Sequence, residues 1–454
     1  MKTTTTTKTR NVREVTLDIL LQIEKNQAYS NLLLNSAIKH HQVSSIDVGL
    51  LTEIVYGTIQ RKLTLDYYLS PYLKNPGKIE DWVVILLRMT LYQMHYLTRV
   101  PDRAAIFEAV EVAKKRGHKG IASMVNGVLR SVQRAGIRPI DCKDDMEQLS
   151  IETSFPLWLV KRWVGQYGLE ETRQLCEATL QHPISSARVN RSIHSVDEVL
   201  KKLADEDIIA QRGELSVDSV TIDKGNFIHT TAYQEGFLTI QDESSMLVTR
   251  ALGIKENEVI LDSCAAPGGK TTHIAELLQN TGKVVAVDLH EHKVKLINEQ
   301  VARLNLSNVE TLVMDSRKLL DHFKKETFDR ILVDAPCSGL GVIRRKPDLK
   351  YQKNEKDIKA LASIQSTILE SVVPLLKKGG TLVYSTCTMD KEENDEVVER
   401  FLESHPSFER DRELIERLPN KIRGNAIYKD GQIQILPHHF GTDGFFIACL
   451  RKRV

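Results

Sequence analysis

The chain has 454 residues, of which 41% are hydrophobic and 27% are charged, an ordinary balance for a globular protein of two or three domains. Its first ten residues are polar and no apolar run is long enough to cross a membrane, so we expect neither a secreted nor a membrane-spanning protein. The six cysteines are scattered without a C-x-x-C pair, which disfavours a disulfide framework or zinc site and favours the reducing cytoplasm.

Charge is unevenly distributed along the chain, although the net charge is only +2. The first 140 residues contain 20 lysines and arginines against 11 acidic residues, so the remainder carries a negative balance. The basic end is therefore the better candidate for contact with a polyanion. A solvated helical surface that happens to be basic would explain the same charge.

The first 140 residues predict a bundle of helices. Apolar residues recur at helical spacing over Val12–Ile23, Leu50–Ile59 and Trp82–Tyr92, and no strand pattern interrupts them. The basic cluster Lys114–Gly120 joins two of these helices, and such a loop with one helix face could follow a phosphate backbone. Three polar or basic residues follow on the second helix: Asn126, Arg130 and Arg134.

From Phe155 the pattern becomes that of a small mixed domain. An aromatic-rich helical start is followed by the alternating segment Ser185–Asn190, which predicts a strand. Ser195 and Glu198 stand three residues apart before an apolar run, which is the signature of a capping box. With further short strands expected beyond this helix, residues 146–235 are predicted to form an α+β linker domain.

The remaining residues, 236–454, alternate strands with amphipathic helices. This pattern predicts βαβ repetition around a parallel sheet. The predicted strands are Val259–Leu261, Lys283–Asp288, Val309–Met314, Arg330–Asp334, Gly380–Ser385 and Gly444–Leu450.

The turn after the first of these strands has the composition of a cofactor site. Small residues lead into a helix that opens at Lys270, and such a junction brings free N–H groups to the carboxyl edge of a sheet. A phosphate-binding P-loop is excluded because Cys264 occupies the position of its first glycine. The glycine spacing of a nicotinamide site is also absent. Asp288, 20 residues after Gly268, suits the ribose hydroxyls of an adenosine cofactor, although it could instead cap the next helix.

Two later strand ends each deliver a cysteine. The first reads D-A-P-C-S-G over Asp334–Gly339, and the second reads S-T-C-T over Ser385–Thr388. In a doubly wound sheet these would be neighbouring strands, with Cys337 and Cys387 facing one crevice. A lone cysteine is more often a small buried hydrophobe, as we expect for Cys264, but this pair favours nucleophilic chemistry.

Together these motifs resemble the Sun/Fmu family of S-adenosylmethionine-dependent RNA (cytosine-5) methyltransferases. L-D-S-C-A-A-P-G-G-K-T, V-D-A-P-C-S-G-L-G and Y-S-T-C-T occur in this order, and the helical front end is similar to the NusB-like domain of bacterial ribosomal members. The resemblance covers nearly the whole chain. It implies a NusB-like RNA-binding helical domain over 1–145, the α+β linker or RNA-recognition domain over 146–235, and a Rossmann-like class I methyltransferase domain over 236–454.

The resemblance also implies a role for each site residue. Cys387 would add to cytosine C6, Cys337 would assist loss of the C5 proton and enzyme release, and Asp334 would lie with Lys270 beside the methyl donor and base. S-adenosyl-L-methionine, which leaves as S-adenosyl-L-homocysteine, would be lined by Cys264, Ala265, Ala266, Pro267, Gly268, Gly269, Lys270, Asp288, Asp315 and Asp334, with Asp315 near the adenine. No metal is expected.

The expected partner is RNA, specifically 16S ribosomal RNA, with no membrane and no obligate protein partner. Arg344, Arg345 and Lys346 would suit phosphates flanking an unstacked base. Three alternatives stay open at this point: cytosine-5 methylation of another RNA such as tRNA, an RNA-binding factor with a vestigial methyltransferase domain, and a nicotinamide-dependent dehydrogenase.

Overall fold

The computed structural model describes residues 11–26, 30–222 and 225–454. They form two compact units. The first contains the described part of Met1–Leu180 together with Arg345–Gln352, and the second contains that of Gln181–Arg344 together with Lys353–Val454. No helix within these ranges is long and apolar enough to cross a membrane.

The first unit is helical in its described residues, as the apolar spacing predicts. In helix α7, Ala122, Val125, Leu129 and Val132 are buried along one face, which packs into a single apolar core. The helices are α1 (Val12–Asn26), α2 (Ser30–His40), α3 (Ser45–Gln60), α4 (Lys62–Leu69), α5 (Asp81–Tyr96), α6 (Asp102–Arg116), α7 (Lys119–Ala135), α8 (Asp145–Thr153), α9 (Leu157–Tyr167) and α10 (Leu169–Ala178).

The second unit begins with a small antiparallel sheet in the strand order β2-β3-β1-β4. The predicted capping box is confirmed, because the Ser195 side chain accepts the Glu198 amide while the Glu198 carboxylate accepts the Ser195 amide. The helix that follows buries Val199 and Leu203 against the sheet. The elements are β1 (Ser185–Val189), α11 (Val196–Ala204), β2 (Ala210–Arg212), β3 (Ser219–Ile222), α12 (Thr231–Gln234) and β4 (Leu238–Ile240).

The larger sheet of this unit follows the order β11-β12-β13-β9-β8-β5-β6-β7, with β10 paired to β13. Its elements are α13 (Glu243–Ala251), β5 (Val259–Asp262), α14 (Gly269–Leu277), β6 (Lys283–Asp288), α15 (Glu291–Arg303), β7 (Val309–Val313), β8 (Phe328–Asp334), α16 (Leu349–Gln352), α17 (Glu355–Val372), β9 (Leu376–Thr386), α18 (Asp395–Ser404), β10 (Phe408–Arg410), β11 (Ile427–Lys429), β12 (Gln432–Ile435), α19 (Pro437–Phe440) and β13 (Phe445–Lys452).

Helices cover both faces of this sheet. Leu261 and Ile331 belong to one core, whereas their neighbours Ile260 and Leu332 belong to the other. Strands buried on both faces need continuous apolar runs, which is why their sequences do not alternate.

The prediction of a parallel sheet is right for β5 to β9 and wrong beyond them. β13 pairs antiparallel with β9, β10 and β12. Only residues 436–444 join β12 to β13, which is too short for the crossover that parallel neighbours need. β10, β11 and β12 were not predicted, because each has only three or four residues.

The segment Arg345–Gln352 belongs to the helical unit although it lies far along the chain. Lys350 is fully buried, and its Nζ donates to the carbonyls of Gln60 and Thr153 at 3.2 Å each. The ammonium lies 4.0 Å from the centre of the Phe155 ring. Burial lowers the pKa of Lys350 well below its usual value. No sequence pattern indicated this arrangement, and the domain limits at 145/146 and 235/236 stay predictions.

Candidate functional site

The turn between β5 and α14 lies at the carboxyl edge of the sheet. Gly268 has φ of +103°, and a Cβ there would lie 3.2 Å from Ile297 Cα. Glycine therefore lets the turn pass close to α15. The turn leads into the N-terminus of α14, which has nine residues and carries Lys270 in its first turn. The predicted residues Cys264–Lys270 thus form one concave backbone segment with free N–H groups.

Asp288 closes this turn from the neighbouring strand β6. Its Oδ2 accepts the amide of Ala266 at 3.2 Å and its Oδ1 accepts the amide of His290 at 3.3 Å. The N-cap of α15 is His290, so the carboxylate acts beyond a simple helix cap. Its side chain keeps 10% of its surface exposed, which leaves it accessible as an acceptor.

Asp315 follows the edge strand β7, which pairs with β6. Arg317 Nη2 donates to its Oδ2 at 2.6 Å and Arg317 Nε donates to its Oδ1 at 2.9 Å. The hydrogen bonds from Arg317 lower the pKa of Asp315, so its carboxyl is ionised at neutral pH.

The predicted meeting of the two thiols is confirmed. β8 and β9 are parallel neighbours in which Asp334 pairs with Ser385, and Cys337 Sγ lies 3.3 Å from Cys387 Sγ. The hydrogen bond to Cys387, together with burial, raises the pKa of the Cys337 thiol well above its usual value. Cys337 is therefore protonated at neutral pH.

An ion pair stands beside these thiols. Lys270 Nζ donates to Asp334 Oδ2 at 2.8 Å, and Ser385 Oγ donates to Asp334 Oδ1 at 2.7 Å. Burial opposes the charge of Lys270, but Asp334, with Cys387 and Asp262, outweighs it and raises the pKa of the lysine. Ser385 was quoted in its motif without a role, and only the strand register brings it to Asp334.

Asp262 is a further member of the site that sequence reasoning treated only as the end of β5. Thr271 Oγ1 donates to its Oδ2 at 2.6 Å, whereas its Oδ1 is buried without a hydrogen-bond partner among the described residues. Burial raises the pKa of Asp262 to about 7, and Asp334 adds to the shift. An acidic residue that ends a wholly apolar strand was the available signal.

Two other residues have structural surroundings. Burial raises the pKa of Cys264 to about 12, which agrees with its interpretation as a small packing residue rather than a nucleophile. Arg344 is buried, and its guanidinium donates to the carbonyls of Gly441 at 2.6 Å and His182 at 2.8 Å. The expectation that Arg344 binds RNA phosphate is therefore wrong, because backbone carbonyls hold its donors. Arg345 and Lys346 belong to the helical unit.

The chain is similar over nearly its whole length to ribosomal RNA methyltransferases. A Bacillus subtilis protein named "Probable ribosomal RNA small subunit methyltransferase B" is 54% identical over 98% of this chain and 100% of its own. The Photorhabdus laumondii ribosomal RNA small subunit methyltransferase B is 34% identical over 98% of this chain and 99% of its own. The sequence model described as 16S rRNA methyltransferase RsmB/F matches residues 249–451. This chain belongs to the RsmB/F family.

Two further family models match the rest of this RsmB/F chain. The NusB family matches residues 10–134, and the ferredoxin-like domain of RsmF/B-like methyltransferases matches residues 155–229. The predicted fold class is thereby confirmed, with the small α+β part identified as ferredoxin-like.

Solved structures agree with the family assignment. The crystal structure of PH0851 has a TM-score of 0.80 at 28% identity and covers 98% of this chain and 100% of that one. The crystal structure of NSun6 from Pyrococcus horikoshii with SFG has a TM-score of 0.60 at 25% identity and covers 66% of this RsmB/F chain and 99% of that one.

Proposed function

We propose that this protein transfers a methyl group from S-adenosyl-L-methionine to C5 of a cytosine in 16S ribosomal RNA through a covalent Cys387–C6 adduct. The observation that carries the proposal is the pair of thiols, 3.3 Å apart, at the carboxyl ends of adjacent strands. Membership of the RsmB/F family supports the RNA substrate.

The chemistry of cytosine explains why two thiols are useful. C5 is a weak nucleophile, so the Cys387 thiolate forms a bond to C6 and the C5–C6 electron pair moves to C5. After methylation, C5 must lose its proton before the Cys387–C6 bond breaks and the double bond returns. The high pKa of Cys337 makes its thiolate, once formed, a strong acceptor for that proton.

The turn after β5 fits the cofactor. Because no Cβ fills the cradle at Gly268, the backbone from Cys264 to Lys270 would line the cofactor, with the exposed edge of Asp288 on its ribose and Asp315 near its adenine. When bound, S-adenosyl-L-methionine supplies an electrophilic methyl group from its sulfonium. Lys270 and Asp334 would flank that methyl group and the base.

Substitution of each thiol tests the proposal. Cys387→Ala is expected to abolish both methyl transfer and covalent RNA adduct, because no thiol remains to add at C6. Cys337→Ala is expected to transfer methyl once and then stall as a covalent protein–RNA complex. A denaturing gel with labelled 16S rRNA and S-adenosyl-L-methionine distinguishes the two outcomes, and Cys142→Ala, in the helical unit, is the matched control.

Adduct that accumulates with Cys387→Ala and vanishes with Cys337→Ala would reverse the two roles. Bisulfite mapping of RNA from cells with and without the gene identifies the substrate. A protected cytosine that depends on the gene in tRNA, with none in 16S rRNA, would retain the chemistry and replace the substrate.

A further inference from the structure

Two consecutive buried residues, Glu393 and Asn394, stand directly before α18 and beside both cysteine-bearing turns. Both side chains are fully buried. A buried carboxylate is costly unless it is hydrogen-bonded, so its partners indicate what it holds in place.

Glu393 binds the residue that follows Cys337. Its Oε2 accepts the Ser338 amide at 2.8 Å and Gln365 Nε2 at 2.9 Å, while its Oε1 accepts the Ser338 hydroxyl. The Ser338 hydroxyl also lies 2.8 Å from Thr388 Oγ1. Glu393 therefore anchors the turn that presents Cys337.

Asn394 binds the residues on both sides of Cys387. Thr386 Oγ1 donates to its Oδ1 at 2.5 Å, and its Nδ2 donates to the Thr388 carbonyl at 3.1 Å. The same Nδ2 donates to Gln434 Oε1 at 2.8 Å, which ties this turn to β12.

We propose that Glu393 and Asn394 are positioning residues that divide the two thiols between them, Glu393 orienting Cys337 and Asn394 orienting Cys387. This inference rests on the proposed function. The hydrogen bonds of both side chains run to neighbouring residues rather than to sulfur, so they act through backbone and hydroxyl groups. Because each anchors a different turn, their removal has different consequences for the reaction.

The charge of Glu393 has an additional effect. After the hydrogen bond to Cys387 and burial, its carboxylate is a further cause that raises the pKa of Cys337. Glutamine at this position separates charge from geometry. Its carbonyl can accept the Ser338 amide and Gln365, and its amide can donate to the Ser338 hydroxyl.

The test measures turnover, single-turnover methyl transfer and covalent complex on a denaturing gel, with labelled 16S rRNA and S-adenosyl-L-methionine. Glu393→Ala is expected to behave like Cys337→Ala: turnover falls about a hundredfold while covalent complex accumulates. Asn394→Ala is expected to lose methyl transfer and adduct together, by about a hundredfold. Glu396→Ala, an exposed residue of α18 paired with Arg400, is the matched control and should behave as wild type.

Glu393→Gln is expected to restore turnover while the pH profile of Cys337 alkylation shifts to lower pH. Stalling of Glu393→Gln to the same extent as Glu393→Ala would overturn the positioning role, because its hydrogen bonds are retained. Wild-type turnover without complex in Glu393→Ala or Asn394→Ala would also overturn the inference.

Calorimetric binding of S-adenosyl-L-methionine verifies that each variant is folded. If Glu393→Ala loses that binding, Ser338→Ala decides instead, since it removes only the hydroxyl interaction: trapped complex supports the inference, and wild-type behaviour overturns it. The proposed function fails separately, if Cys337→Ala traps no complex or the wild type leaves cytosine unmethylated.

Discussion

Asp334 illustrates how single residues balance charge at this site. Its two oxygens accept hydrogen bonds from Lys270 and Ser385, which come from α14 and β9. A buried lysine without such a partner would lose its proton, whereas here its pKa is raised. The pair therefore keeps both charges close to the thiols.

Asp262 predicts a pH dependence of stability. Its pKa rises from 3.8 to about 7 on folding, so the folded protein binds this proton more tightly than the unfolded chain. The free energy of unfolding should therefore fall between these pH values, by up to ~1.4 kcal/mol per pH unit, and level off above the higher one. Asp262→Asn should remove that decline.

Chemical denaturation at pH 5 and pH 8 checks this prediction. The exposed Asp205→Asn is the control and should retain the wild-type dependence. An equal fall in stability in wild type and Asp262→Asn would mean that another group is responsible.

Asp288 predicts cofactor preference. Asp288→Ala should weaken S-adenosyl-L-methionine binding by about 1.5–3 kcal/mol, since it removes hydrogen bonds to a charged acceptor. Calorimetry measures the change, with Asp321→Ala as an exposed control. Tight NAD binding by the wild type would instead support the dehydrogenase alternative.

Among the elements, β1 and α14 are joined by one buried arginine. Arg188 is fully buried, and its guanidinium donates to both oxygens of Glu276, at 2.7 and 2.9 Å. It also donates to the Gly269 carbonyl at 2.7 Å, at the start of α14. The ferredoxin-like sheet thus stabilises the cofactor turn through a side chain that could pass for a surface arginine in the sequence.

Arg188→Met should lower the free energy of unfolding by about 3–5 kcal/mol, because it leaves Glu276 buried without its partner. Cofactor affinity should fall as well, since the Gly269 carbonyl is left without this donor. Urea denaturation and calorimetry measure both effects. Arg191→Met, whose side chain is 45% exposed, should change stability by no more than about 0.5 kcal/mol; a similar loss of stability in both variants would contradict the assignment.

At the scale of the whole molecule, the basic face of the helical unit is partly neutralised. Lys115 pairs with Glu14 at 2.7 Å and Arg116 pairs with Asp18 at 2.6 Å. Exposed Lys119 and Arg134, on α7, remain better candidates for binding phosphate. Deleting residues 1–140 would not test them cleanly, since it also removes Gln60, whose carbonyl accepts a hydrogen bond from buried Lys350.

The double variant Lys119→Gln/Arg134→Gln should bind 16S rRNA more weakly. Its log–log salt dependence should flatten by about 0.7–0.9 for each phosphate that the variant no longer neutralises. Filter binding across a salt series measures the slope, with the exposed Lys255→Gln as control. An unchanged slope in the folded double variant would show that this charge is only a solvated surface.

Local pattern was sufficient for the helical unit, the capping box at Ser195, the five parallel strands and the meeting of Cys337 with Cys387. Each depends on spacing along the chain and on the rule that parallel strands share a carboxyl edge. Arg344, Lys350 and Glu393 required the tertiary structure. Their partners lie far away in sequence, 162 residues for Arg344 and His182 and 290 for Lys350 and Gln60. Periodicity describes which face of an element is buried, but which distant groups satisfy a buried charge depends on how the elements pack.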